Sequence, residues 1–165
     1  MKKWSGILVF FILCIGCSKA KKKEVQEQAK TVIETSKTAG IEKKIQRLKN
    51  EGYEVFSYEE GDTTYLMQKY YLVFLKTGPK RDQDSTETAI LMKKHLAFLE
   101  RMGMEGYASL IGPIGVDGDI RGIAIYNVPT LREADSLSRL DPMVKAGMLK
   151  VEIHPWWTAK GGKLN

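Results

Sequence analysis

Apolar positions in this chain gather into a few short runs, and two of those runs lack a polar face. The stretch from Tyr107 to Val128 reads as two apolar strands joined by a turn, a β-hairpin. Ala108, Leu110 and Ile111 lead into Gly112-Pro113, and Gly115 to Asp119 carry turn chemistry, because Gly accepts positive φ and Asp bonds its own backbone. Strict alternation in the second strand, Ile120 to Val128, puts Ile120, Gly122, Ala124, Tyr126 and Val128 on one face. Arg121, Ile123, Ile125 and Asn127 fall on the other. Both faces are mostly apolar, so both need cover; a strand with one face on water would alternate cleanly. Tyr70 to Lys76 has the same character. Met148 to His154 alternates, with Leu149, Val151 and Ile153 inward and Lys150, Glu152 and His154 outward, as an edge strand does. Pro155-Trp156-Trp157 is expected to cap the domain.

Helical spacing fills the gaps between these strands. Glu87 to Met102 carries the stripe Leu91, His95, Phe98, Met102, flanked by Met92, Leu96 and Leu99, with Ser85 or Thr86 as the cap and Gly103 and Gly106 as the stop. Thr130 precedes a second helix with Glu133 three residues on, the capping-box spacing, and with Leu131, Ala134, Leu137 and Leu140 as its apolar face. Asp141-Pro142 opens a further short helical turn, Asp as N-cap and Pro at the first helical position, closed by Gly147. From Tyr70 the order is strand, helix, strand, strand, helix, strand. This is the ferredoxin-like βαββαβ pattern of the α+β class, an antiparallel sheet with helices on one face. The two strands without a polar face take the inner positions in that topology. The face without helices then calls for a second copy of the chain, a homodimer packed sheet to sheet.

The N-terminal third differs. Ile41, Ile45 and Leu48 have helical spacing, and Tyr53–Tyr58 and Thr63–Met67 are two short strands that can pair. Met1-Lys2-Lys3 followed by the apolar run Ile7 to Ile15 has the make-up of an export signal, too short for a comfortable membrane span. Cys14-Ile15-Gly16-Cys17 resembles the end of a bacterial lipoprotein signal, with Cys17 as the lipid-accepting residue. The expected layout is a signal peptide over 1–16, lipidated Cys17 with a charged tether and helix over 17–50, an accessory segment over 51–69, the main domain over 70–157 and a polar tail over 158–165. The expected location is the bacterial cell envelope, anchored to a membrane on the exported side.

Charge and cysteine usage agree with that layout. The net charge is +6. Ser18 to Asn50 holds ten Lys or Arg against four Glu, whereas everything beyond is slightly acidic. Without a basic stripe on the folded part, nucleic acid is not an expected partner; a positive tether beside anionic lipid fits better. No cysteine follows Cys17, so packing rather than disulfides must hold the domain.

A set of short motifs then becomes meaningful. Phe74-Leu75-Lys76-Thr77-Gly78-Pro79, His95-Leu96, Gly112-Pro113, Asp119 to Ile123, Asp141-Pro142 with Ala146-Gly147, and Glu152 to Trp157 together resemble the YciI-like (YCII-related) family over about Tyr70 to Trp157. The resemblance implies a dimeric α+β barrel. In some members of that family a His–Asp pair is proposed as the active site, and relatives of similar fold include small-molecule isomerases and lyases. His95 matches the family's helix histidine, and Asp141 is its expected carboxylate partner, so the two are the candidate catalytic pair. The competing structural roles are a packing histidine and a helix cap. Arg121 is the candidate for holding an anionic substrate and Trp156 for stacking on one. Asp117, Asp119 and His154 do not make a metal set, and no metal or cofactor is expected. Two functions stay open: an acid–base enzyme acting on a small metabolite, or a non-catalytic small-molecule-binding or structural lipoprotein.

Overall fold

The computed structural model describes residues 26–27, 38–80 and 82–164. The expected signal peptide, Cys17 and most of the tether lie outside these residues. Among the described residues no helix is long and apolar enough to cross a membrane. The chain divides into two units, Met1–Glu42 and Lys43–Asn165. Residues 26–27 and 38–42 of the first are helical. The second contains a short helix over 43–50 (α1), then β1 (Val55–Glu60), β2 (Thr63–Thr77), α2 (Ser85–Met104), β3 (Ala108–Pro113), β4 (Ile120–Tyr126), α3 (Leu131–Ser138), α4 (Pro142–Lys145) and β5 (Leu149–Ala159).

All five strands form one antiparallel sheet in which β2 and β4 are internal, with β3 beyond β4 and β5 beside β2. The fold is thus α+β, and the ferredoxin-like order read from the sequence is present. β2 is longer than its pattern suggested. The expected strands at Thr63–Met67 and Tyr70–Lys76 are one 15-residue strand, because Gln68 and Lys69 continue the ladder on to β5. Met67 and Gln68 pair with β1 and with β5, and Tyr71 to Lys76 pair with β4 and with β5. So β1 and β4 lie end to end along one edge of β2, and β5 runs along the other.

The core sits on one side of this sheet. Tyr71, Val73 and Leu75 of β2, Ala124 and Tyr126 of β4 and Ala108 of β3 are buried against Phe98, Met102, Ala134 and Met143 from the helices. The opposite side carries Leu72, Phe74, Ile123, Ile125 and Leu110, paired across the ladder and only partly buried. Its cover is partial: α1 packs Leu48, with Ile45, on Val55 and Leu66, which share that side at the β1 end.

Three sequence expectations are corrected in detail. The α2 cap is Asp84, whose carboxylate accepts from the Glu87 N–H, rather than Ser85 or Thr86. On α3, Ala134 and Leu137 of the expected face pack against the core, joined by buried Ser138, while Leu131 and Leu140 are about half exposed. Pro155-Trp156-Trp157 does not cap the core but continues β5. Pro155 stands opposite Tyr71 on an edge strand, where the missing N–H leaves no ladder bond broken. Trp157 lies against Phe56, ring centroids 5.1 Å apart. Beyond β5 the expected tail is tied in at its start. Lys160 N–H donates to the Leu66 carbonyl at 2.7 Å and its Nζ to Gln68 Oε1 at 2.5 Å. Fully buried Gln68 in turn donates to Asn127 Oδ1 at 2.6 Å.

Candidate functional site

His95 lies on the stripe that α2 turns toward the sheet, one turn before Phe98 and two before Met102. All three are buried, so packing fixes the ring's position. Asp141 comes from the other end of the domain. It is the N-cap of α4, and its Oδ1 accepts from the Met143 N–H at 2.8 Å. Its Oδ2 lies 2.7 Å from His95 Nδ1. One carboxylate therefore serves both roles that the sequence offered as alternatives. A carboxylate oxygen with no proton can only accept, so Nδ1 is the donor and Nε2 is left free of this bond.

The α4 turn is held from below by a close backbone approach. Gly78 N–H donates to the Met148 carbonyl at 2.9 Å, and a Cβ at Gly78 would stand 2.1 Å from the Gly147 oxygen. Only glycine fits there, and the contact fixes the segment that presents Asp141. Beside Asp141 lie two further buried polar groups, Tyr126 and Ser138. Ser138 Oγ donates to the Ala134 carbonyl at 2.8 Å. Burial pushes the Tyr126 hydroxyl above its usual pKa. A hydrogen bond with Ser138 partly offsets that, and the Asp141 charge adds to it. The sequence reading missed both residues. The available signal was Ser138, a hydroxyl four residues after Ala134 on an otherwise apolar helix face.

His95 opens on a pocket of about 720 Å³ between α2, β3, β4 and the end of β2. Its walls are mostly apolar, with Leu75, Leu96, Leu99, Ile111 and Met143 among them. Polar groups are few: His95, Ser109, Glu100 and Arg121. An apolar chamber with a small number of polar groups is the usual form of a small-molecule site.

The predicted site residues divide accordingly. His95 and Asp141 are in contact, and Arg121 lines the same pocket. Trp156 does not; on β5 it stands opposite Tyr70 of β2 and is about two-fifths exposed. Cys17 lies outside the described residues. Asp119 pairs with Lys76 at 3.1 Å, and Lys76 also reaches Glu152 at 2.9 Å. Among the described residues no three His, Cys, Asp or Glu gather as a metal would require.

Two solved structures of similar shape are a 5-chloro-2-hydroxyhydroquinone dehydrochlorinase from Burkholderia phenoliruptrix, in complex with 2,5-dihydroxybenzoquinone, and a muconolactone isomerase. The first is 23% identical, covering 53% of this chain and 92% of its own, with a TM-score of 0.41. The second is 15% identical, covering 58% of this chain and 96% of its own, with a TM-score of 0.44. No curated protein matches the chain. The YCII-related domain matches residues 69–157. That span runs from the middle of β2 to Trp157, takes in both His95 and Asp141, and makes up more than half of the sequence, so the chain belongs to the YCII-related domain family.

Proposed function

We propose that this protein is an envelope lipoprotein whose folded part is an acid–base enzyme for a small metabolite. One observation carries the enzymatic reading: the 2.7 Å bond that ties Asp141 to His95, a residue in the wall of an apolar pocket. Imidazole is the side chain best suited to take up and return a proton near neutral pH. Asp141 orients the ring and selects the Nδ1–H tautomer, which presents the Nε2 lone pair to substrate. His95 is then the catalytic residue and Asp141 a positioning residue. The chemistry is removal of a proton from a polarised C–H or O–H and its return at the same or a neighbouring atom. Such a positioned base contributes a factor of about 10² to 10⁴ in rate.

Nitrogen-15 spectra of the His95 ring test this. The neutral ring should carry its proton on Nδ1 in the wild type. Asp141→Asn, whose amide can donate, should shift it to Nε2. A ring indifferent to residue 141 would point instead to a domain that binds without turnover.

The anchor and the assembly belong to the same proposal. Cys17 is the lipid-bearing residue, supported by the apolar run before it and the basic tether after it. A Cys17→Ser protein should leave the membrane fraction in high salt; retention there would remove the lipid reading. The homodimer is supported by the apolar residues Leu72, Phe74, Ile123 and Ile125 on the side of the sheet away from α2–α4. Sedimentation of the detergent-solubilised chain as a monomer at micromolar concentration would count against it.

A further inference from the structure

The sheet has two register breaks, and both fall at the pocket. Between β3 and β4, Ala108 pairs with Tyr126 and Leu110 with Ile125, so Ser109 is an extra residue. Between β2 and β4, Leu75 pairs with Gly122 and Lys76 with Ile120, so Arg121 is an extra residue. Each is a β-bulge, a device that breaks strict alternation and re-aims a side chain. Alternation from Ile123 and Ile125 would place Arg121 on the side away from the helices. With the bulge it lines the pocket on the helix side, and so does Ser109.

We infer that Arg121 is the recognition group of the pocket for the carboxylate of a small, otherwise apolar monoanion, with His95 as the reacting group. The inference rests on the acid–base reading of His95 and adds the substrate class to it. Guanidinium fits a carboxylate with two parallel N–H···O bonds. Arg121 is not already neutralised. Its nearest carboxylate is Asp117, with Nη1 3.6 Å from Oδ1 and that aspartate fully in solvent, a pair that water and salt largely screen. The leucine, isoleucine and methionine walls of the pocket favour a ring or short hydrocarbon over a sugar. Glu100 also lines the pocket, and its negative charge works against a second anionic group on the ligand, which selects for one carboxylate rather than two.

The full chain in lipid nanodiscs, titrated with 4-fluorobenzoate and with 4-fluorobenzamide and followed by fluorine NMR, decides this. The two probes share shape and differ in charge. The wild type should bind the benzoate at least tenfold more tightly. Arg121→Leu should lose about tenfold or more for the benzoate and nothing for the benzamide, while Arg121→Lys recovers part of it. No benzoate binding, equal binding of both probes, or an Arg121→Leu protein that binds benzoate as the wild type does would overturn the assignment. Unchanged thermal unfolding of Arg121→Leu shows that any loss is not misfolding. The ring spectra of His95 give a separate answer. Benzoate bound through Arg121 with a His95 tautomer indifferent to Asp141 would sink the acid–base reading and leave the carboxylate end standing; the opposite pair of results would do the reverse.

Discussion

Each side of the sheet carries a histidine bonded to a carboxylate, and only one of the two has the makings of a site. On the helix side, His95 and Asp141 are 2.7 Å apart and both buried. On the other side, His154 and Glu152 are 2.8 Å apart and about half exposed, next to Lys76 and edge-on to the Phe74 ring. Distance alone cannot separate them. The difference is what surrounds each pair. Water competes for every bond that His154 makes, and Glu152 divides its charge between His154 and Lys76. His95 has been placed by packing, its partner is spoken for by a helix N-terminus, and its surroundings are apolar. A short His–carboxylate contact acquires chemical meaning when the fold fixes the ring and excludes solvent from one of its nitrogens.

The largest break in this contrast should come from neighbours on β2. Val73 is fully buried on the helix side and Phe74 lies on the other side. Val73→Glu should cost about 4 kcal/mol or more and prevent folding, since it places a charge in a dry core. Phe74→Glu should leave the protomer folded by circular dichroism and, if the proposed dimer forms through this face, make it sediment as a monomer.

The next largest effect compares the two carboxylates. Asp141→Ala removes a helix cap and strands a buried imidazole, so chemical denaturation should show a loss of about 2–4 kcal/mol. Glu152→Ala, in solvent, should leave the denaturation midpoint close to that of the wild type.

Tyr126 sharpens the helix side with a pH signature. Its folded pKa is raised by burial, so above pH about 10 the unfolded chain gives up this proton first. The stability it supplies is complete below that pH and lost as the pH climbs through the raised value. Urea midpoints should therefore fall between pH 9 and 11, and Tyr126→Phe should flatten that fall.

The smallest effect belongs to Glu152. The hydrogen bond from His154, then that from Lys76, hold its carboxyl below the usual range. Its contribution is present above the ordinary carboxylate pKa and disappears as the pH drops through the lowered one. Because the group is in solvent, 1 M salt should erase the difference between wild type and Glu152→Gln at pH 3–5.

The legibility of this fold followed burial. Tyr71, Val73 and Leu75 alternate with Leu72 and Phe74 in a run with no polar side, which marks a central strand whatever lies around it. Thr130 with Glu133, and Asp141 before Pro142, announced two helix starts, because a cap needs a side-chain oxygen at one position. Only the outer positions of the α3 face were misread: Leu131 and Leu140 look like core residues in a list, whereas Ala134, Leu137 and Ser138 are the residues that pack against the core. The site was half legible. His95 stood out as a polar residue on an apolar stripe, and Asp141 as its partner came through the family resemblance. The place of Arg121 was not legible, since alternation predicted the wrong side.

Local rules written into the residues decided which segments became strands and helices and where the helices began, because periodicity and caps act within a few positions. Contacts between distant segments decided the rest. Asp141 meets His95 across 46 positions, β2 runs on through Lys69 because β5 continues beside it, and two extra residues in the ladders turn Ser109 and Arg121 toward one cavity. A bulge is a mismatch between two strands, and neither strand alone contains it.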